Sequence, residues 1–393
     1  MSIVNDNLNK IKETDREERH LEAILNGTIN DRDSKRNLSL EQREVLRRYD
    51  KHSKANGLKV GTRRNYLVAL KHFGLFIKKR FEDVTQSDII NYFSSVKMRP
   101  RTIHDRKIRV KAFCQWLNMP GVVESIKIKR TNLLELPKIL TKEEIKRLVD
   151  CCDNLRDRTL IMVLWESACR RGEVVNMNVG DVTFDDYGVR MIVKGKTGMR
   201  KIRLIDSVPD LKAYLNFHPF KDDPNKPLFI NMKRHGERLE SNGIYQIIRK
   251  LKKRAKIKKN VHPHILRHSR LTELAKDFHE SELKIIAGWN GDSRMPKVYV
   301  HLSDEDIDKK LLEKKGLLPT KEKKKDLLEP KRCAFCGELN SGSDKICSNP
   351  TCNMPLDQKA AMELQQKRRI IEEKIDRIDR LLKQNPKLLE KLK

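Results

Sequence analysis

The sequence predicts a mainly α-helical chain with one small antiparallel sheet, an α+β protein of two large domains followed by a small cysteine-bearing module. Three observations carry this. Apolar residues recur at helical spacing from Leu40 to Leu117 and again through most of the chain after Thr141. One stretch, Asp181 to Ile205, changes to a period of two around two turn-forming segments. Beyond a charged run, four cysteines stand in two pairs after residue 332.

Residues 1–38 are polar, with apolar traces at Leu21, Ile24 and Leu25, and read as an arm or weak helices. A helical domain follows over 39–125. Breaks at Asn56-Gly57, Val84-Thr85 and Arg99-Pro100 divide it into four helices. Tyr66, Ala69, Leu70, Phe73, Phe76 and Ile77 form one inward face, and Val110, Phe113, Cys114 and Leu117 another. Met119-Pro120-Gly121 and the basic stretch to Pro137 read as a linker. The second domain, 138–313, opens at Thr141, which with Glu144 makes a capping box ahead of Ile145, Leu148 and Val149. Within it, Val182/Phe184, Val189/Met191/Val193 and Ile202/Leu204 mark three strands, separated by turns at Asp185–Gly188 and Gly195–Gly198. Helices resume at Ser207, at Ser241 and after Leu266. Residues 314–332 form a charged linker, 333–356 the cysteine module, and 357–393 a last helix in which Leu364, Ile371, Ile375, Ile378 and Leu382 follow heptad-like spacing.

Lys and Arg number 85 against 55 acidic residues, a net charge of +30, so the chain suits a polyanion and gains from counterion release on binding DNA or RNA. Membrane surfaces are the other polyanion. The longest apolar run, Leu160 to Trp165, is far short of the roughly 20 residues a span requires, and no N-terminal apolar segment suggests export. A cytoplasmic nucleic-acid binder without a membrane partner is expected.

Four stretches, SACRRGEV, VKGKTGMRKIRL, HPHILRHS and IAGWNGDSRMPKVYVH, contain in order Arg170, Lys196, His264, Arg267, Trp289 and Tyr299. Two arginines, a lysine and a histidine suit a negatively charged phosphodiester, and a late tyrosine suits a nucleophile. Taken singly each residue is unremarkable, since one Arg in so basic a chain is ordinarily a surface side chain. Their order and spacing together are the signal. Ala168-Cys169-Arg170-Arg171-Gly172-Glu173 resembles a Gly-x-Arg-x-x-Glu box with alanine in place of glycine, and His264-Ile265-Leu266-Arg267-His268 resembles an intact His-x-Leu-Arg-His box. Gly288-Trp289 stands where Gly-His is usual, and Tyr299-Val300-His301 matches a Tyr-x-His ending. The set resembles the tyrosine recombinase family (phage integrases, Xer-like, of an archaeal type with a C-terminal zinc ribbon) over residues 40 to 312.

That resemblance implies a SAM-like core-binding domain joined to a catalytic domain, the two clamping a DNA duplex. It implies a site-specific recombinase that cleaves and rejoins DNA through a 3′-phosphotyrosyl intermediate, with chemistry akin to a type IB topoisomerase. Tyr299 would be the nucleophile and Arg170 and Arg267 the clamps on the nonbridging oxygens, with Glu173 orienting Arg170. A free tyrosine titrates near pH 10, so an acceptor is needed, and His264, three residues before Arg267, can serve. The leaving hydroxyl takes its proton from a hairpin lysine. Lys194 and Lys196 both qualify, and the Lys-Thr-Gly context favours Lys196. No cofactor is expected for catalysis. The partners implied are double-stranded DNA at paired sites and a homotetramer, with the helix around Asp304–Leu312 docking on a neighbouring protomer.

From Ser241, residues Ile244, Ile247, Ile248 and Leu251 make a buried stripe, leaving Arg249, Lys250, Lys252, Lys253, Arg254 and Lys256 for DNA phosphates, or for a solvated basic face. Cys333-Ala-Phe-Cys336 and Cys347-Ser-Asn-Pro-Thr-Cys352 have the spacing of a closed four-thiolate zinc site, which would fold a segment too small for its own core; disulfides or free thiols are the alternatives. From a different functional class, the competing reading is a catalytically inactive, zinc-containing DNA-binding regulator with a recombinase fold.

Overall fold

The computed structural model describes residues 18–26, 37–124, 126–128, 139–195, 198–234, 236–299, 308, 311–312, 315–317 and 327–384. The chain divides into two units, Met1–Leu134 and Glu135–Lys393.

The first unit is helical: α1 (18–26), α2 (Leu40–Ala55), α3 (Val60–Ile77), α4 (Gln86–Ser95) and α5 (Pro100–Trp116). The punctuation is chemical. Ser39 with Gln42 and Thr85 with Asp88 form capping boxes, and Pro100 starts α5 where its missing N–H costs nothing. Leu46, Leu67, Leu70, Phe73, Phe81, Tyr92 and Phe113 fill the core, with edge-on ring pairs such as Phe81–Phe113 at 5.0 Å. Two sequence expectations need correcting. The stretch read as an arm or weak helices contributes one helix, α1, and its Leu21, Ile24 and Leu25 are core residues and not mere apolar traces, because their spacing makes a stripe wide enough to pack. Arg63, itself buried, fastens α1 through Glu18 at 2.8 Å and α2 through Asp50 at 2.9 Å. Phe76, expected inside, is exposed with its ring edge against Tyr92, since Leu67, Leu70 and Phe73 already face the core.

The second unit packs α6 (Lys142–Asp150), α7 (Leu155–Glu166), α8 (Arg171–Val175), α9 (Val208–Asn216), α10 (Ser241–Arg254), α11 (Pro263–Leu274) and α12 (Glu280–Ala287) with an antiparallel sheet. The sheet runs β1 (Val182–Asp185), β2 (Gly188–Gly195), β3 (Gly198–Leu204) in that order, with Met191 opposite Ile202 and Gly195 opposite Gly198. Val189, Met191, Val193 and Leu204 turn inward onto a core centred on α7. Glu166, at the end of α7, accepts the amides of Ile205, Asp206 and Ser207 at 2.5–2.8 Å and so folds the chain back after β3.

The cysteine module is attached to this unit. Leu328, at the end of the expected charged linker, is buried in the main core, and Lys331–Arg332 (β4) pairs with Leu339–Asn340 (β5). A single leucine in a lysine-rich run thus ends the linker earlier than its charge implied. Arg158 of α7 holds Asp210 of α9 at 2.6 Å and also binds Asp344 of the module, while Ser341 donates to Asp210 at 3.1 Å. Asp210 is almost wholly buried, so removing its cation leaves an uncompensated charge. Arg158→Ala is expected to cost about 3–5 kcal/mol, read by urea denaturation; a loss below about 1 kcal/mol would show that the network contributes little. The last helix, α13 (Gln358–Gln384), starts from the module, with Lys331–Asp357 at 2.8 Å and Lys345–Glu363 at 2.6 Å at its base. Among the described residues no helix is long and apolar enough to cross a membrane.

Candidate active site

The chain leaves α7 through Ala168, which is fully buried and in the left-handed conformation at φ 49°, and Arg170 caps the short helix α8. Alanine is strained there by roughly 1 kcal/mol, and the turn is held by its neighbours: the Ala168 carbonyl accepts Arg267 Nη1 at 2.6 Å. One helical turn on, Glu173 accepts the Arg170 amide and guanidinium, both at 2.8 Å.

Arg200 of β3 completes this group. It donates to both Glu173 oxygens, at 3.1 and 2.8 Å, and to the carbonyl of Ile286 at 3.1 Å. Burial raises the Glu173 pKa, but the hydrogen bonds from Arg200 and Arg170 outweigh it and hold the carboxyl at about 2. Two glycines allow the close approach. A Cβ on Gly195 would lie 2.6 Å from Glu173 Oε1, and one on Gly288 would lie 2.5 Å from Arg200 Nη1. Gly288, at φ +60°, also ends α12 and offers its carbonyl to Arg170 Nη2 at 3.0 Å.

Arg267 projects from α11 and is buried, donating to the carbonyls of Ala168 and Ala287 at 2.6 and 2.8 Å, with its guanidinium 5.7 Å from the Trp289 ring centre. Burial first, then repulsion from Arg170, lowers its pKa to about 10, so it stays charged at neutral pH. Two guanidiniums, those of Arg170 and Arg200, bond the Glu173 carboxylate, and a third, that of Arg267, feels the charge of all three groups without bonding the carboxylate. The surplus positive charge is held in fixed positions by main-chain carbonyls, an arrangement suited to an oxyanion.

Tyr299 closes the site. Its ring stacks on Trp289 at 5.6 Å, and its hydroxyl is 2.5 Å from His268 Nδ1. Burial pushes the tyrosine up to about 12, and burial likewise lowers the His268 pKa, so the two meet as phenol and neutral imidazole. The sequence assigned the acceptor role to His264, but that ring is one turn away, 6.4 Å from His268, and exposed. Partial desolvation, then Arg267 and further cationic neighbours including Arg170, lower the His264 pKa too.

Lys196 lies outside the described residues, as do His301 and most of the expected docking helix Asp304–Leu312. The strands on either side are in place: Gly195 lies against Glu173, while Lys194 bonds Asp181 at 3.1 Å. On α10, Ile244, Ile248 and Leu251 are buried and Arg249 and Lys253 are exposed, with Lys252 half-buried, and Lys256 is exposed just beyond the helix end. Lys250 and Arg254 both reach Asp153, so they are already partly compensated. The sulfurs of Cys333, Cys336, Cys347 and Cys352 all lie within 4.8 Å of one another, and such a cluster can hold a metal ion.

A family model described as the phage integrase family matches residues 138–306, and one for the phage integrase N-terminal SAM-like domain matches residues 45–118. The chain belongs to the phage integrase family of tyrosine recombinases. It is 25% identical to a tyrosine recombinase of Thermosipho africanus (strain TCF52B) over 62% of this chain and 90% of that protein. It is 27% identical to the tyrosine recombinase XerA of Pyrococcus horikoshii over 52% of this chain and 73% of the relative. Two solved structures share its fold. XerH bound to a palindromic difH substrate matches with a TM-score of 0.54 at 19% identity, covering 68% of this chain and 83% of that one. A lambda integrase tetramer bound to a Holliday junction gives 0.51 at 16% identity, covering 65% and 79%.

Within this integrase-family site, sequence reasoning missed Arg200 and the contact of His268 with the Tyr299 hydroxyl. The signal for Arg200 was present. Alternation along β3 places it on the same face as Ile202 and Leu204, and a cation on an inward face requires a partner.

Proposed function

We propose that the protein is a site-specific DNA recombinase that cleaves and rejoins strands through a 3′-phosphotyrosyl link. The observation that carries this reading is the Tyr299 hydroxyl, bonded to a neutral imidazole, in a site where Arg170 and Arg200 bond Glu173 and Arg267 is held by the carbonyls of Ala168 and Ala287. Tyr299 attacks phosphorus as His268 takes its proton, the P–O bond to the 5′ sugar oxygen breaks, and Lys196 protonates that oxygen. Attack by another 5′ hydroxyl reverses the step and restores the tyrosine, so no energy source is consumed. Arg170 and Arg267 hold the nonbridging oxygens, and exposed His264 at the rim adds a further contact. Arg200 acts through Glu173. The basic edge of α10 binds DNA phosphates, with Arg249, Lys252, Lys253 and Lys256 contributing more than Lys250 and Arg254. An inactive regulator would have no use for the hydroxyl–imidazole pair, and nothing in this geometry supports that alternative.

Recombination at paired sites cuts four strands, so four protomers act together on DNA, and the likeness in fold to a lambda integrase tetramer bound to a Holliday junction supports this reading. The place of action is the cytoplasm. A nicked suicide substrate tests the chemistry: wild-type protein should form a denaturation-resistant adduct in EDTA. Failure to form one with the cysteine module still folded would overturn this mechanism.

The cysteines fit structural zinc. Cys333–Cys352 and Cys336–Cys347 are 3.7 and 3.6 Å apart, near the ~3.8 Å edge of a tetrahedron built on Zn–S bonds of about 2.3 Å. Elemental analysis should find one zinc per chain, lost in Cys333→Ser plus Cys352→Ser; zinc absent, or unchanged in that variant, would refute the assignment.

A further inference from the structure

Helix α13 runs for 27 residues, about 40 Å, and from Gln365 to Leu381 every residue is exposed. Its apolar residues nevertheless form a stripe. Taking Leu364, Ile371 and Ile378 as the d positions of a heptad puts Ala361, Arg368 and Ile375 at a. Ile371, Ile375 and Ile378 are each more than half exposed. Unsupported helices of mixed composition are marginal in water, so a stripe of this kind is ordinarily covered.

The flanking charges identify what covers it. In this register the g positions carry Lys367 and Lys374, and the e positions that follow carry Glu372 and Asp379. When two identical helices lie parallel and in register, each g residue meets the partner's e residue five positions on. Lys367 then meets Glu372 of the second copy and Lys374 meets Asp379, on both flanks. In an antiparallel pair g meets g and e meets e, which sets lysine against lysine and acid against acid. Arg368, at an a position between Leu364 and Ile371, faces its own counterpart in this register, so its long stem carries the charged end out to water, a cost that the isoleucine contacts and the lysine–acid pairs offset.

We propose that α13 is a self-association helix that joins two copies of this chain as a parallel, in-register coiled coil, independently of DNA. The helix grows from the cysteine module, which is fixed to the catalytic unit through Arg158, Asp210 and Asp344, so the pairing is transmitted to a rigid base. This goes beyond the recombinase reading and does not depend on it.

Sedimentation velocity on the full-length, DNA-free protein tests it. A concentration-dependent species of twice the chain mass is expected. Ile375→Asp with Ile378→Asp should leave a monomer that still binds DNA, since both side chains are exposed and substitution does not disturb the fold. Lys367→Glu with Lys374→Glu should weaken self-association on the order of tenfold. Mixing that chain with one carrying Glu372→Lys and Asp379→Lys should restore pairing as a heterodimer. Ile378→Cys should cross-link to its own counterpart on oxidation, because in a fully overlapped antiparallel pair residue 378 would instead lie opposite residue 364. A wild-type chain that stays monomeric, an association insensitive to the isoleucine changes, or charge variants that fail to recover on mixing would each overturn the proposal.

Discussion

Tyr299→Phe is expected to abolish the covalent protein–DNA adduct while leaving DNA affinity within about twofold, because the substitution removes a single oxygen that binding does not use. The ring would still stack on Trp289, so the pocket keeps its shape. Gel analysis under denaturing conditions reads the adduct, and a mobility shift reads binding; an adduct surviving in the phenylalanine variant would transfer the nucleophile to another residue. The same hydroxyl predicts a pH profile. Burial lifts the tyrosine to about 12, so unaided ionisation at neutral pH is negligible and the proton must pass to an acceptor. Burial lowers the His268 pKa, so the imidazole is neutral and competent at pH 7, and its role is lost only as pH falls through that depressed value. Cleavage should therefore hold through neutrality and fall in acid. His268→Gln should flatten the acid limb, whereas His264→Gln should lower the rate and leave the limb in place. The reverse pattern would return the acceptor role to His264.

The helical boundaries were legible because they are local chemistry: Ser39, Thr85, Pro100 and Thr141 each mark a helix start by what their own side chains do within three residues. The sheet was legible for the same reason, since alternation at Val189, Met191 and Val193 survives in isolation. What stayed hidden is chemistry between distant segments. Arg200 reads as one cation among many until β3 is laid against α8, and then it is a bidentate partner of Glu173. His268 stood inside a recognised box, but only the fold shows that it, one turn beyond His264, reaches Tyr299. Ala168 carried a visible departure from glycine, yet its left-handed backbone and its carbonyl bond to Arg267 appear only in three dimensions. The attachment of the cysteine module through Arg158 joins residues 186 positions apart, beyond the reach of any local pattern.

Arg267→Ala is expected to slow strand cleavage by about 10² to 10³, a larger effect than on DNA affinity, because a clamp on the nonbridging oxygens acts most strongly as charge develops there. Arg267 also carries a structural task, and the two must be separated. Its guanidinium satisfies the carbonyls of Ala168 and Ala287, and leaving two buried acceptors unpaired costs stability of about 1–3 kcal/mol. Single-turnover cleavage should therefore be compared with the fraction folded at the same temperature. A rate loss that merely follows unfolding would make Arg267 a structural tie between α7 and α12. Arg267→Lys sharpens the distinction, since lysine keeps the charge but lacks the planar fork, so little rate should return. Full rescue by lysine would show that charge alone is used there. Arg200→Met provides the contrast. Its partner is Glu173 and not the substrate, so its loss should act indirectly, by freeing Glu173 to compete for Arg170 and loosening the ground-state grip on phosphate as well as the transition state. A variant in which binding and cleavage fall together marks a positioning residue, and one in which cleavage falls alone marks the clamp.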